Sequence, residues 1–254
     1  MSDNQILEYD ISQVDSIVFS DVPAEEEIVI VDANGNTDGE HQFTKVNDST
    51  FIIDGIIYTV KDDNLEVSGY DDATFTGVAS IVSKLKYNGQ TFDVVSIGDE
   101  AFRECTSLTS VTIPESVTSI GVNAFYYCIS LPSVTIPNGV TSIGNVAFCV
   151  CSSLTSVTIG NGVTSIGYEV FSYCSNLASI KVETGNLTYD SRDNCNAIIE
   201  TATNTLIAGC LSTTIPESVT SIGDNAFFGC HKLTSIDIPN SVTSIGYQAF
   251  RDCI

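Results

Sequence analysis

The sequence predicts a repeat solenoid, a stack of like units made of short β-strands and single helical turns, with a β-hairpin cap in front. Three observations carry this. The phrase Ser116-Val117-Thr118-Ser119-Ile120-Gly121, followed by Ala124-Phe125 and Cys128, returns with small changes at 139–144, 162–167, 218–223 and 241–246. Apolar residues climb in steps of 23, as in Phe102, Phe125, Phe148 and Phe171, in Cys105, Cys128, Cys151 and Cys174, and in Ile113, Ile136, Ile159 and Val182. Two Asx-Gly pairs, Asp54-Gly55 and Asn88-Gly89, sit between β-branched runs ahead of the first repeat. A fixed period implies stacking, because one short unit buries its apolar face only against a neighbour.

Taken in order, residues 1–49 form an acidic segment, β-rich or partly irregular. Val14 to Phe19 and Ile28 to Val31 have the β-branched content of short strands. Asn34-Gly35-Asn36-Thr37-Asp38-Gly39 matches the first six positions of a calcium loop, but the twelfth is Lys45 where a bidentate Glu is needed, so it reads as a plain turn. Residues 50–96 read as a hairpin cap, since Asx-Gly between alternating apolar residues is the strongest short-range hairpin signal. Residues 97–254 are the repeats. Within one, Leu108, Val111 and Ile113 alternate, Pro114 breaks the chain, Val117 and Ile120 begin a second strand, and Ala124-Phe125-x-x-Cys128 has the spacing of one helical turn. The step lengthens to 33 between Val182 and Ile215, which places an insertion at about 183–214 with a hairpin from Ala197–Glu200 and Thr205–Ala208.

The pattern L-T-S-V-T-I-P-x-x-V-T-S-I-G-x-x-A-F-x-x-C resembles the BspA-like branch of the leucine-rich repeat superfamily. The resemblance implies a leucine-rich repeat solenoid of the α/β horseshoe type, whose first strands align as a parallel sheet. On that sheet the outward positions expected to bind are Thr112, Thr135, Thr158, Lys181, Thr214 and Asp237, each beside a serine two residues earlier. Lys181 and Asp237 break the run of hydroxyls and so are the best candidates for specificity. Ser and Thr also simply favour a solvated sheet, so the hydroxyls alone carry little ligand information.

Charge narrows the partners. The chain carries 32 acidic and 9 basic residues, net −23, with 19 acids against 4 bases in residues 1–96. Such a balance argues against nucleic acid and against insertion into or docking on an anionic membrane. No apolar run approaches about 18 residues, and Met1-Ser2-Asp3-Asn4 lacks the basic-then-apolar start of a signal peptide.

Seven of nine cysteines hold core positions of the repeat: Cys105, Cys128, Cys151, Cys174, Cys230, Cys253, and Cys210 in place of a leucine. They read as small buried apolar residues. Cys149 and Cys195 are left as the two candidates for reactivity or pairing. With only His41 and His231, no metal motif, no phosphate loop and no placed nucleophile, the sequence points to no catalytic residue, metal or cofactor. Glu183, Asp190, Asp193 and Glu200 in the insertion read as ordinary loop acids.

The resemblance implies a bacterial, non-enzymatic protein, secreted or at the cell surface, its export signal lying outside this chain. Its partners would be extracellular proteins or glycans; the alternative is a structural spacer with no ligand of its own. The last copy, Tyr247 to Cys253, stops before the next leucine, from which an uncapped end face able to meet another copy is expected.

Overall fold

Paired left-handed residues fold the front of the chain. In the computed structural model, which describes residues 28–31, 37 and 41–253, Asp54 (φ 51°) and Gly55 (φ 78°) reverse the chain between the strands Thr50–Ile53 and Ile56–Lys61. Asn88 (φ 50°) and Gly89 (φ 74°) do the same between Lys84–Tyr87 and Gln90–Ile97. A third corner, Asp62-Asp63 before Asn64–Tyr70, carries no glycine and so escapes the sequence pattern. Ile28–Val31 pairs antiparallel with Lys84–Tyr87. Val14 to Phe19 and most of the calcium-like loop lie outside the described residues.

The cap supplies the first rung of both ladders. Gln90–Ile97 closes the hairpin at one end and at the other pairs parallel with Ser119–Ile120, Ser96 opposite Ser119. Ser142–Ile143 and Ser165–Ile166 then follow in the same register, all within one ten-stranded sheet that begins in the cap. Val78–Ser80 likewise pairs parallel with Ser110–Thr112. A solenoid end exposes unpaired backbone, and here Asn64–Tyr70 pairs parallel with Gln90–Ile97 and carries that sheet on into the antiparallel strands of the cap.

The Ala-Phe-x-x-Cys segments fold more tightly than an α-helical turn. Arg103 N–H donates to Glu100 O at 2.9 Å and Cys105 N–H to Phe102 O at 3.1 Å, an i to i+3 pattern. Glu100 (φ 61°) and Glu104 (φ 57°) are left-handed, and the equivalent residues Asn123, Tyr127, Val146, Val150, Glu169 and Tyr173 repeat this. A left-handed residue ends a right-handed turn, so each repeat holds two successive turns. Among the described residues the one helical segment is the 3-10 turn Arg192–Asn194.

Inside, the rungs stack like on like. Phe102, Phe125, Phe148 and Phe171 lie parallel with centroids 5.2, 4.9 and 5.8 Å apart. The thiols of Cys128, Cys151 and Cys174 donate to the carbonyls of Phe102, Phe125 and Phe148 at 3.1–3.2 Å. All nine cysteines are unpaired. Cysteine thus fills core volume and also satisfies a carbonyl of the preceding repeat.

Two expectations about the first strands need correction. Their sheet is not continuous: Ser110–Thr112 pairs only toward the cap, while Ser133–Ile136, Ser156–Ile159 and Ser179–Val182 form a separate parallel sheet. Neither Thr214 nor Asp237 lies in a strand. At the first break, Pro132 occupies the place of Thr109 and Thr155. Thr155 uses both its N–H and its hydroxyl on Pro132 O, at 2.8 and 3.0 Å, as Thr109 does on Gly77 O. Proline has neither group, so the rung to Thr109 is not tied. At the second, Thr213 stands where other repeats carry Val or Ile. Its hydroxyl accepts from Cys210 N–H and donates to Asn196 O, both at 2.7 Å, and this local bonding competes with the ladder.

The insertion is a wall between two cores. Ile198–Glu200 and Thr205–Ala208 form its hairpin, Glu200 opposite Thr205. Ile198 and Ala208 pack into the core that starts in the cap; Ile199 and Leu206 face a second core with Ile215, Ile222 and Phe227. Thr205–Leu206 then serves as the rung on which Ser221–Ile222 and Ser244–Ile245 continue.

Candidate functional site

Two columns of threonine hydroxyls run along the repeats, and their bonding separates them. On the second strands Thr118, Thr141 and Thr164 donate to the carbonyls of Val95, Thr118 and Thr141 at 3.0–3.2 Å, and Thr220 and Thr243 continue this after the insertion. These hydroxyls are committed to the stack. On the first strands Thr112, Thr135 and Thr158 make no side-chain hydrogen bond, nor do Ser110, Ser133, Ser156 and Ser179 beside them. Alternation in the strand Ser133–Ile136 explains why: Val134 and Ile136 are buried, and Ser133 and Thr135 are exposed.

The structure distributes the six expected residues over three places. Thr135, Thr158 and Lys181 stand opposite one another on adjacent paired strands, about 4.8 Å per rung. Thr112 faces Thr135 across the untied rung, and both line a shallow groove of 460 Å³ with Glu115, Pro132 and Pro137. Thr214 and Asp237 line a second groove of 290 Å³ beyond the insertion, with Glu217, Ser235 and Pro239. Lys181 is exposed and its ammonium holds Glu183 at 2.8 Å, which lowers its free charge. Sequence reasoning passes over Pro132 and Pro137 as groove walls; the departure of Leu131-Pro132-Ser133 from Leu108-Thr109-Ser110 is the signal that marks them.

Neither of the two cysteines singled out in the sequence offers a reactive group. Cys149 and Cys195 are 4% and 1% exposed, and burial pushes their thiols up to about 12 and about 11. A thiol held protonated at neutral pH is a poor nucleophile, which corrects the expectation that these two stand apart. Two acids of the insertion are engaged locally, Asp190 bidentately with Arg192 and Glu183 with Lys181. Among the described residues no group of three or more His, Cys, Asp or Glu is placed to hold a metal ion, and no helix is long and apolar enough to cross a membrane. The hydroxyl of Tyr173 donates to Asp252 at 2.6 Å across the insertion, and that acceptor pushes its pKa up to about 12.

Comparison with known proteins bears on this arrangement. No curated protein matches the chain. A leucine-rich repeat protein from Bacteroides capillosus is 30% identical over 54% of this chain and 99% of its own, with a TM-score of 0.49. A second, from Eubacterium ventriosum, is 21% identical over 81% of this chain and 62% of its own, at a TM-score of 0.57. The pneumococcal vaccine antigen PcpA shares 16% identity over 81% of this chain and 68% of its own, at 0.52. The family model described as the BspA type leucine rich repeat region matches in six copies over residues 72–199 and 207–254, beginning inside the cap where Val78–Ser80 forms the first rung. The chain therefore belongs to the BspA-type leucine-rich repeat family.

Proposed function

We propose that this protein is a non-enzymatic binding protein, presented outside the bacterial cell, that recognises protein or glycan partners through its first-strand face. One observation carries the reading: the second-strand hydroxyls are consumed within the stack, while the hydroxyls of Thr112, Thr135 and Thr158 have no partner among the described residues. Lys181 continues that column with a cation, and Asp237, at the same place in its repeat, lines the second groove beyond the insertion. A face held rigid by the rungs beneath it loses little conformational freedom on binding, which favours affinity. The extracytoplasmic part of the reading draws on the family and on one fold neighbour being a vaccine antigen. Immobilised protein is to be screened against extracellular-matrix proteins, mucins and a glycan array, beside fractionation of the source cells. Absence of any ligand together with a cytosolic location would overturn the proposal and leave the spacer role. Replacing Lys181 and Asp237 together is expected to weaken binding at least tenfold, and a spacer would show no change.

A further inference from the structure

The untied rung at Pro132 leaves more than a gap in a sheet. Ser156–Ile159 is laddered to both neighbours, so its peptide groups are spent, whereas Ser110–Thr112 and Ser133–Ile136 are each laddered on the far side only. Between Ser110–Thr112 and Ser133–Ile136 no backbone hydrogen bond forms. The 460 Å³ groove there is lined by residues of both strands, among them Ser110, Thr112, Ser133 and Thr135, whose hydroxyls are unbonded among the described residues. Groups that can both donate and accept therefore stand along an open, shallow surface.

We propose that this groove is a ligand subsite, separate from the one read by Lys181 and Asp237, and that it takes a neutral oligosaccharide; the inference rests on the binding function argued above. Three features select that chemistry. A sugar ring presents hydroxyls that both donate and accept, as this lining requires. An inserted peptide strand does not fit, since Cα atoms of the two strands still come within 8 Å of each other, and a third strand between them needs about 9.5 Å. The only charged residue in the lining is Glu115, whose carboxylate already accepts from Gly139 N–H at 3.0 Å, and the whole chain is at −23, so acidic sugars are disfavoured. Pro132 and Pro137 add rigid apolar walls for the C–H faces of the rings.

The variant Pro132→Thr tests this directly, because it returns the N–H and hydroxyl that Thr109 and Thr155 use and thereby closes the groove while tightening the fold. Titration calorimetry against neutral hexose and N-acetylhexosamine oligomers, sialylated counterparts and an extended Ser/Thr-rich peptide is the measurement. Expected are binding of a neutral oligomer by the unchanged protein, a loss of at least tenfold in Pro132→Thr, and a similar loss in the isosteric Thr112→Val/Thr135→Val, with the melting temperature kept or raised. Undiminished binding by Pro132→Thr would overturn the groove assignment while leaving the binding function standing. Preference for the sialylated oligomers or the peptide would overturn the ligand class. Failure to bind any sugar, with a protein ligand found in the screen, would overturn this inference alone; failure of both would remove the function on which it rests.

Discussion

Val146 has a left-handed backbone at φ 60°, and Val150 at φ 62°. A β-branched side chain is among the worst occupants of that region, where Asn and Gly are the best. The equivalents of Val146 in two other repeats, Asn123 and Asn225, are asparagines at φ 55° and 56°. Val146→Asn is therefore expected to raise stability by about 1 kcal/mol, seen as a melting temperature higher by a few degrees; a lower one would show that Val146 packing outweighs the strain. Phe125, fully buried between the parallel rings of Phe102 and Phe148, is the opposite case. Phe125→Ala is expected to cost about 3–5 kcal/mol in chemical denaturation, since neighbouring rungs cannot collapse into the space. Thr112→Ala, on the exposed face, is expected to be nearly silent in the same assay. Thiol reactivity follows burial: in native protein Cys253, the one half-buried cysteine, should label first and the other eight only as the chain unfolds. Labelling of Cys149 or Cys195 at the rate of an open peptide would contradict their surroundings.

Single residues decide the fate of whole elements in this fold. Pro132 unties one rung by lacking an N–H and a hydroxyl, and Thr213 unravels another by bonding its own loop. Pro132→Thr should recover two hydrogen bonds at about 0.5–1.5 kcal/mol each, less the loss of proline's restraint on the unfolded chain, for a net gain near 1 kcal/mol. Gly209 is an element-level device of a different kind. A Cβ there would lie 2.1 Å from the Phe227 ring, so the ring fits against bare backbone where the hairpin leaves the wall. Gly209 N–H donates to Ala226 O at 2.8 Å, the bond that Phe125 makes to Ala147 in an inner repeat. Gly209→Val is expected to disorder the second core, detectable as loss of amide protection across residues 215–250 with the cap unaffected.

At the scale of the molecule, the hairpin wall divides the solenoid into two cores that remain clasped on the turn side. Tyr173 N–H donates to Phe228 O at 3.2 Å, its ring lies 4.9 Å from that of Phe228, and its hydroxyl reaches Asp252. This clasp is sensitive to base. Burial raises the pKa of Tyr58, and of Tyr70 to about 12, while Asp252 raises Tyr173 to about 12. A raised folded-state pKa means that the folded protein holds these protons more tightly than the unfolded chain. The stability they contribute is complete below about pH 10, the ordinary tyrosine value, and is lost as pH climbs toward 12. Burial of the thiols acts in the same direction, beginning near pH 9, the ordinary value of cysteine. Melting temperature is expected to hold from pH 7 to 9 and to fall steeply above 10, with Tyr173→Phe removing part of the fall; an unchanged profile in that variant would show that the clasp carries little of it.

The sequence by itself determined the period, the inward residues, the Asx-Gly corners and the inserted hairpin. These are local: a 23-residue step, an alternating pair, or a turn needing positive φ is written in adjacent letters. It also showed Cys210 in a leucine place, because position within a repeat is a count. The tertiary structure decided the rest. It settled which of two similar threonine columns keeps its hydroxyls, because that depends on whether a carbonyl of the preceding repeat lies within reach. Only the packed chain shows that Gln90–Ile97 is both hairpin and first rung, that one hairpin separates two cores, and that a missing N–H at Pro132 opens a groove. Each of those facts concerns what lies across from a residue, and the partner sits in another element of the chain.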